Sequence, residues 1–248
     1  MRNFPTLFVG FIIALGLAAC GDDRPQSQQQ QEQVPVASTN WPPAAPADLS
    51  VADNPLAENY LVVFDASGSM SSSSCGTNRL PRMETAKKGV IAFAQMLPET
   101  ANLGLVVGDD YDPKVLVPLG TGNREEFEKQ VMKISAGGGT PLDTWMRKGV
   151  ETLTTQAQMQ RGYGTYTLVP VTDGEANVGQ DPGYFTKETV STTAIMVHAI
   201  GFCVDESHSL NIQGYTRFSS ASDEKELTKG LNSILSESET FQDSQFVK

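Results

Sequence analysis

The sequence predicts an α/β three-layer sandwich, a mostly parallel sheet with one antiparallel edge strand and helices on both faces. Three observations carry this. Apolar runs of strand length alternate with longer segments of helical spacing across residues 56–239. The first run, Tyr60-Leu61-Val62-Val63-Phe64, is continuously apolar, as a parallel strand buried on both faces must be. One pair of runs is joined by only a short turn, so those two strands run antiparallel.

The elements follow in order. After the strand at 60–64 comes a Ser-rich loop, 71–82. A helix over 83–97 places Ala86, Val90, Phe93, Ala94 and Leu97 on one face, and Pro98 stops it. Residues 103–107 are the second strand. Asp109, Asp110, Asp112 and Pro113 make a turn, which their composition favours over a second cation site. Residues 115–119 return antiparallel. Asn123 is placed to cap a helix over 124–134, with Glu125 and Glu126 in its first turn. Gly137-Gly138-Gly139-Thr140-Pro141 leads into a helix over 141–154, on which Trp145 and Met146 share the core face with Leu142, Gly149 and Val150. A strand at 166–171 runs into Thr172-Asp173-Gly174-Glu175. A short helix at 184–192, a strand at 194–202 carrying the structural histidine His198, and a weak strand at 215–219 follow. Asp223 caps a last helix over 224–237, with Leu227, Leu231, Ile234 and Leu235 inward.

What precedes the domain reads differently. Arg2, an apolar run at 7–19 and the small residues Ala18 and Ala19 before Cys20 form a targeting segment, too short for a membrane span. Leu17-Ala18-Ala19-Cys20 resembles the lipobox of bacterial lipoproteins. That resemblance implies a signal peptide at 1–19, acyl chains (palmitate among them) on Cys20, and firm anchoring by more than one chain. Gly21 after the cysteine favours the outer membrane, facing the periplasm or the cell surface. Glutamines at 26–33 and a Pro-, Ala- and Ser-rich stretch at 34–55 read as a disordered tether, so 20–55 is assigned as lipidated linker. The domain is set at 56–239 and a tail at 240–248.

The chain carries 18 basic and 29 acidic residues, a net charge of −11, with no basic cluster. Nucleic acid is therefore a poor partner, and so is bare anionic lipid.

In a parallel sheet the ligand site lies beyond the carboxyl ends of the strands. Asp65 directly follows the first strand, and Asp173 follows the strand ending at Val171. Both carboxylates thus belong to one sheet edge. Asp65-Ala66-Ser67-Gly68-Ser69 offers oxygen ligands at alternate positions, and Thr140 adds a hydroxyl. Without His or Cys, this hard-oxygen set selects Mg²⁺, Mn²⁺ or Ca²⁺ over Zn²⁺ or Cu²⁺.

These residues resemble the metal-ion-dependent adhesion site (MIDAS) of von Willebrand factor type A (VWFA) domains, D-x-S-x-S…T…D, and the match is complete: Asp65, Ser67, Ser69, Thr140 and Asp173. The likeness covers 60–237 in element order and implies a Rossmann-like sandwich. It also implies that the hydroxyls touch the metal while the aspartates act largely through water or those hydroxyls. One coordination position is left for the Asp or Glu of a protein partner. The expectation is a metal-dependent protein-binding module, not an enzyme, on a lipid anchor in the bacterial envelope. Ser71, Ser72, Glu175 and His208 are candidate rim contacts, although the default for Glu175 and His208 is a solvated loop residue. The family's sheet order leaves one strand between the strands that precede Cys75 and Cys203, about 10 Å. The ten residues from Asp65 to Cys75 let the loop close that gap, so a Cys75–Cys203 disulfide is expected.

Two other classes compete. In one, the metal stabilises a structural or assembly factor. In the other, a hydrolase, Ser67 or Ser69 is the nucleophile with Asp173 and His208 as helpers; no Gly-x-Ser-x-Gly elbow supports it.

Overall fold

The computed structural model describes residues 40–73, 75 and 80–239. The expected signal segment, Cys20 and the tail at 240–248 lie outside the described residues.

Six strands form one sheet: β1 (Glu58–Asp65), β2 (Asn102–Gly108), β3 (Lys114–Gly120), β4 (Thr165–Thr172), β5 (Ile195–Phe202) and β6 (Thr216–Ala221). Their order is β3-β2-β1-β4-β5-β6, and only β2 and β3 pair antiparallel. The helices are α1 (Arg82–Met96), α2 (Arg124–Lys133), α3 (Leu142–Met159), α4 (Pro182–Thr192) and α5 (Glu224–Glu239).

Strand alternation sorts the core into two layers. Tyr60, Val62 and Phe64 join α1, α2 and α5 through Phe93, Phe127, Leu227 and Leu231. Leu61 and Val63 face the other way, onto Trp145, Met146 and Leu153 of α3. The backbone of α3 packs closely there, since a Cβ at Gly149 would meet Leu168 at 2.5 Å. Helix α3 runs past the expected end at 154 because its apolar stripe continues: Leu153 and Ala157 are both fully buried.

The chain order turns back between β1 and β4: from β1 the sheet grows one way through β2 and the other way through β4. That makes a crevice at the carboxyl ends of these two strands. In register, Phe64 pairs with Val171, which brings Asp65 opposite Thr172.

Three expectations need correction. The stretch at 40–55, assigned to a disordered tether, lies against the domain. One large aromatic in a Pro-rich segment is enough to seat it: Trp41 meets Tyr166 edge-on, with ring centroids 5.1 Å apart. Gln158 Nε2 donates to the Pro43 and Ala44 carbonyls, and the Ala52 amide to Met159 O at 3.0 Å. Leu56, the expected start of the fold, is exposed. Asn123 makes no side-chain cap; its amide donates to Leu103 O at 2.7 Å and to Pro118 O, tying α2 to the β2–β3 hairpin. His208 is not solvated, as detailed below.

Asp223 does cap α5, accepting from the Glu226 amide, and Asp181 caps α4 in the same way through Tyr184. No described helix is long and apolar enough to cross a membrane.

Candidate metal centre

The five expected ligands are brought to one sheet edge, four of them buried and Ser69 exposed. Asp65 is 1% exposed, Ser67 1%, Asp173 3% and Thr140 9%, while Ser69 is more open. The chain leaves β1 through a short 3₁₀ turn, Gly68–Ser71. The Gly-rich loop crosses it: Gly137 N–H donates to Ala66 O at 2.8 Å, and Gly68 N–H to Gly138 O at 3.1 Å. Gly138 sits at φ +71°, and a side chain there would collide with Asp109 O, so only glycine fits. Asn177 then brackets Thr140, accepting from its amide at 3.0 Å and donating its own amide to Thr140 O at 2.9 Å.

Each carboxylate oxygen has a protein donor. Asp65 Oδ1 accepts from the Ser67 amide at 2.7 Å, and Oδ2 from Thr172 Oγ1 at 2.6 Å. Asp173 Oδ1 accepts from Ser69 Oγ at 2.6 Å, and Oδ2 from Arg82 Nη1 at 2.8 Å. A serine hydroxyl has one proton, and Ser69 spends it on Asp173. In the 2.9 Å contact between the two serines, Ser67 Oγ is therefore the donor. Both lone pairs of Ser67 Oγ and one of Ser69 Oγ are left for a cation.

The donor set fits a hard divalent ion. Burial pushes the Asp65 carboxyl above its ordinary value, against hydrogen bonds from Ser67 and Thr172, and the nearby Asp173 charge adds to the rise. A cation beside it would relieve that cost. Among the described residues no group of three or more His, Cys, Asp or Glu side chains is placed to hold a metal ion.

Of the expected rim residues, Ser71 and Ser72 are exposed beside the site, Ser71 Oγ donating to Gly68 O. Glu175 is exposed, and its Oε1 accepts from the Ser209 amide at 3.2 Å. His208 is 3% exposed and stacks on Phe218 with centroids 5.6 Å apart. Its Nδ1 accepts from the Leu210 amide, so the proton is on Nε2, which donates to Gly174 O at 2.9 Å. It supports the Asp173 loop from beneath and does not present itself at the rim. The apolar Phe218 ring gives it this buried seat.

The disulfide between Cys75 and Cys203 is present, with Cα atoms 5.6 Å apart and β4 between the two strands, as the family order implied. It fastens the Ser-rich loop to the β5–β6 loop. Three residues went unread in the sequence: Thr172, Asn177 and Arg82. Thr172 stood next to a recognised ligand at a strand end; Arg82 ended a loop that gave no signal.

Residues 60–175 match the family described as von Willebrand factor type A domain. The chain is 27% identical over 186 residues to the uncharacterized protein YwmD of Bacillus subtilis (strain 168), covering 69% of this chain and 76% of YwmD. A von Willebrand factor type A structure from Catenulispora acidiphila superposes with TM-score 0.58 at 17% identity, over 72% of this chain and 42% of that one. The PilB minor pilin from Streptococcus sanguinis gives TM-score 0.58 at 15% identity, over 77% of this chain and 63% of the pilin. The domain thus has the von Willebrand factor type A fold.

Proposed function

We propose that this protein is a divalent-metal-dependent protein-binding module held at the bacterial envelope through a lipidated Cys20. One observation carries the reading: Ser67 and Ser69 hold free lone pairs at the β1–β4 crevice while all four oxygens of Asp65 and Asp173 already have protein donors. Ser67, Ser69 and Thr140 would hold Mg²⁺, or Mn²⁺ or Ca²⁺, and the two aspartates would act through hydrogen bonds. The bound ion supplies an open coordination position that suits a carboxylate oxygen of a protein partner. The fold neighbour that is a minor pilin supports a role at a surface.

Binding is favoured over hydrolysis. Ser69 spends its proton on Asp173, and both His208 nitrogens are engaged, so among the described residues no free base faces either serine. A metal serving only stability is less favoured, because the carboxylates already have partners.

The test is capture of partner proteins from envelope extract on immobilised protein, with Mg²⁺ or EDTA, using wild type and Thr140→Ala. Proteins retained only with Mg²⁺ and lost with Thr140→Ala are expected. Equal capture under every condition would sink the reading.

A further inference from the structure

Among the described residues, Arg82 is the one basic side chain bonded directly to this acidic pair. Its Nη1 donates to Asp173 Oδ2 at 2.8 Å and more weakly to Asp173 O at 3.4 Å. The guanidinium is placed from two sides. Its amide donates to Ser72 O at 2.9 Å, and the Ser72 amide donates to Ser69 O at 2.9 Å, so Arg82 is indexed to the serine ligand turn. The preceding loop is fastened by the disulfide at Cys75. The Asp173 side chain is wholly buried, whereas that of Arg82 is 23% exposed. The arginine thus spans from the buried acid to the surface, and its Nε is buried with no hydrogen-bond partner among the described residues.

Counting charges shows what this does. Among the described residues, Asp65 and Asp173 bring two negative charges and Arg82 one positive, so these three side chains sum to −1. With a divalent ion the sum is +1. Without Arg82 the loaded site would be neutral. A fixed cation next to the ligands repels the metal and attracts an anion in the same stroke. This consequence rests on the metal-binding reading above.

We infer that Arg82 is a specificity-determining residue of the metal centre: it weakens metal binding and, in return, leaves the loaded site net positive, so that the site selects a carboxylate over a neutral oxygen ligand. The two effects have opposite signs, which separates this role from a purely structural ion pair. Loss of a structural pair would weaken both kinds of binding by loosening Asp173.

The experiment uses Mn²⁺ and acetate as probes on the folded, disulfide-intact protein. Free Mn²⁺ is followed by its electron paramagnetic resonance signal. Acetate binding is followed by the loss of water-proton relaxation as acetate replaces water on bound Mn²⁺, with acetamide as the neutral control. Relative to wild type, Arg82→Gln is expected to bind Mn²⁺ about tenfold more tightly and acetate about tenfold more weakly. Acetamide should not change, and Arg82→Lys should follow wild type. If Arg82→Gln melts below the working temperature, Arg82→Met repeats the test with the aliphatic stem still packed. Weaker or equal Mn²⁺ binding in the charge-removing variant overturns the inference, as does unchanged acetate affinity. Wild-type protein that binds no Mn²⁺ at all defeats the metal reading itself, and this inference with it.

Discussion

Thr172 Oγ1 donates to Asp65 Oδ2 at 2.6 Å, joining the carboxyl ends of the two strands that frame the candidate metal centre. Asp65 is buried, and its carboxyl is already pushed up by that burial, so each donor it keeps matters. Thr172→Val, which keeps the shape and removes the hydroxyl, is expected to cost about 1.5–3 kcal/mol in urea unfolding with EDTA present. The sign with pH follows from the raised carboxyl. An acid harder to ionise in the folded state loses stability as pH rises above its ordinary value of 3.8. The variant's deficit should therefore be larger at pH 7 than near pH 4. A deficit independent of pH would mean the hydroxyl does not act on the Asp65 charge.

That the candidate ligands share one sheet edge was legible because spacing and strand order speak directly. Asp65-x-Ser67-x-Ser69 turns off a recognisable apolar strand, and Asp173 ends another, so the shared edge follows from parallel pairing alone. Arg82 and Asn177 were not legible. Each acts across more than thirty residues of chain, through a side chain whose direction only packing decides. Trp41 misled for the opposite reason. The composition around it is that of a linker, and one ring finding Tyr166 outweighs that average. His208 followed the same pattern, a polar loop residue drawn inside by a single aromatic neighbour, Phe218.

The disulfide should carry a large share of stability. It joins residues 128 apart, and in the chain-entropy model closing such a loop contributes at most about 4–5 kcal/mol. It also holds Cys203 at φ +61°, where a residue with a Cβ is strained by roughly 1–2 kcal/mol. Cys75→Ala with Cys203→Gly should therefore be more stable than Cys75→Ala with Cys203→Ala, although glycine usually costs stability. Urea midpoints of the two double variants check this. The reverse order would show that position 203 leaves the left-handed region once the bridge is gone.

His198, buried in mid-strand on β5, predicts an acid-side weakness. Burial, with the charge of Arg217 on β6 adding to it, pulls its pKa from 6.5 down to about 4. The folded protein then resists protonation that the unfolded chain accepts. Stability is fully present above pH 6.5, declines as pH falls below that, and stops declining once pH is under about 4. The loss at the acid end is about 3 kcal/mol at most. His198→Gln should flatten the slope of unfolding free energy between pH 6.5 and pH 4, measured by urea titration at several pH values. A slope unchanged in the variant would assign the acid sensitivity to other groups.

Trp41 fixes where the N-terminal segment meets the domain. Its ring stands edge-on to Tyr166, a side chain buried enough that its hydroxyl is pushed up to about 12 and donates to Tyr163 O. The contacts from Gln158 to the Pro43 and Ala44 carbonyls are exposed and individually weak. The ring is therefore the main hold on residues 41–44, while buried Gln160 holds the other end of the segment through the Asn54 and Pro55 carbonyls. The ring lies at the start of β4, whereas the candidate metal centre is at the far end of that strand. Strapping the segment there turns the candidate binding edge away from the point where the N-terminal chain joins. Trp41→Ala should release the segment locally. The Ala52 amide, bonded to Met159 O, is expected to exchange with deuterium about tenfold faster, while the amides of β4 paired with β1 keep their protection. Mn²⁺ affinity should stay at the wild-type value, because none of the ligands touches the strap. Unchanged protection at Ala52 would transfer the hold from the Trp41 ring to the hydrogen bonds of Gln158 and Gln160, which Gln158→Ala and Gln160→Ala would then reveal by the same exchange measurement.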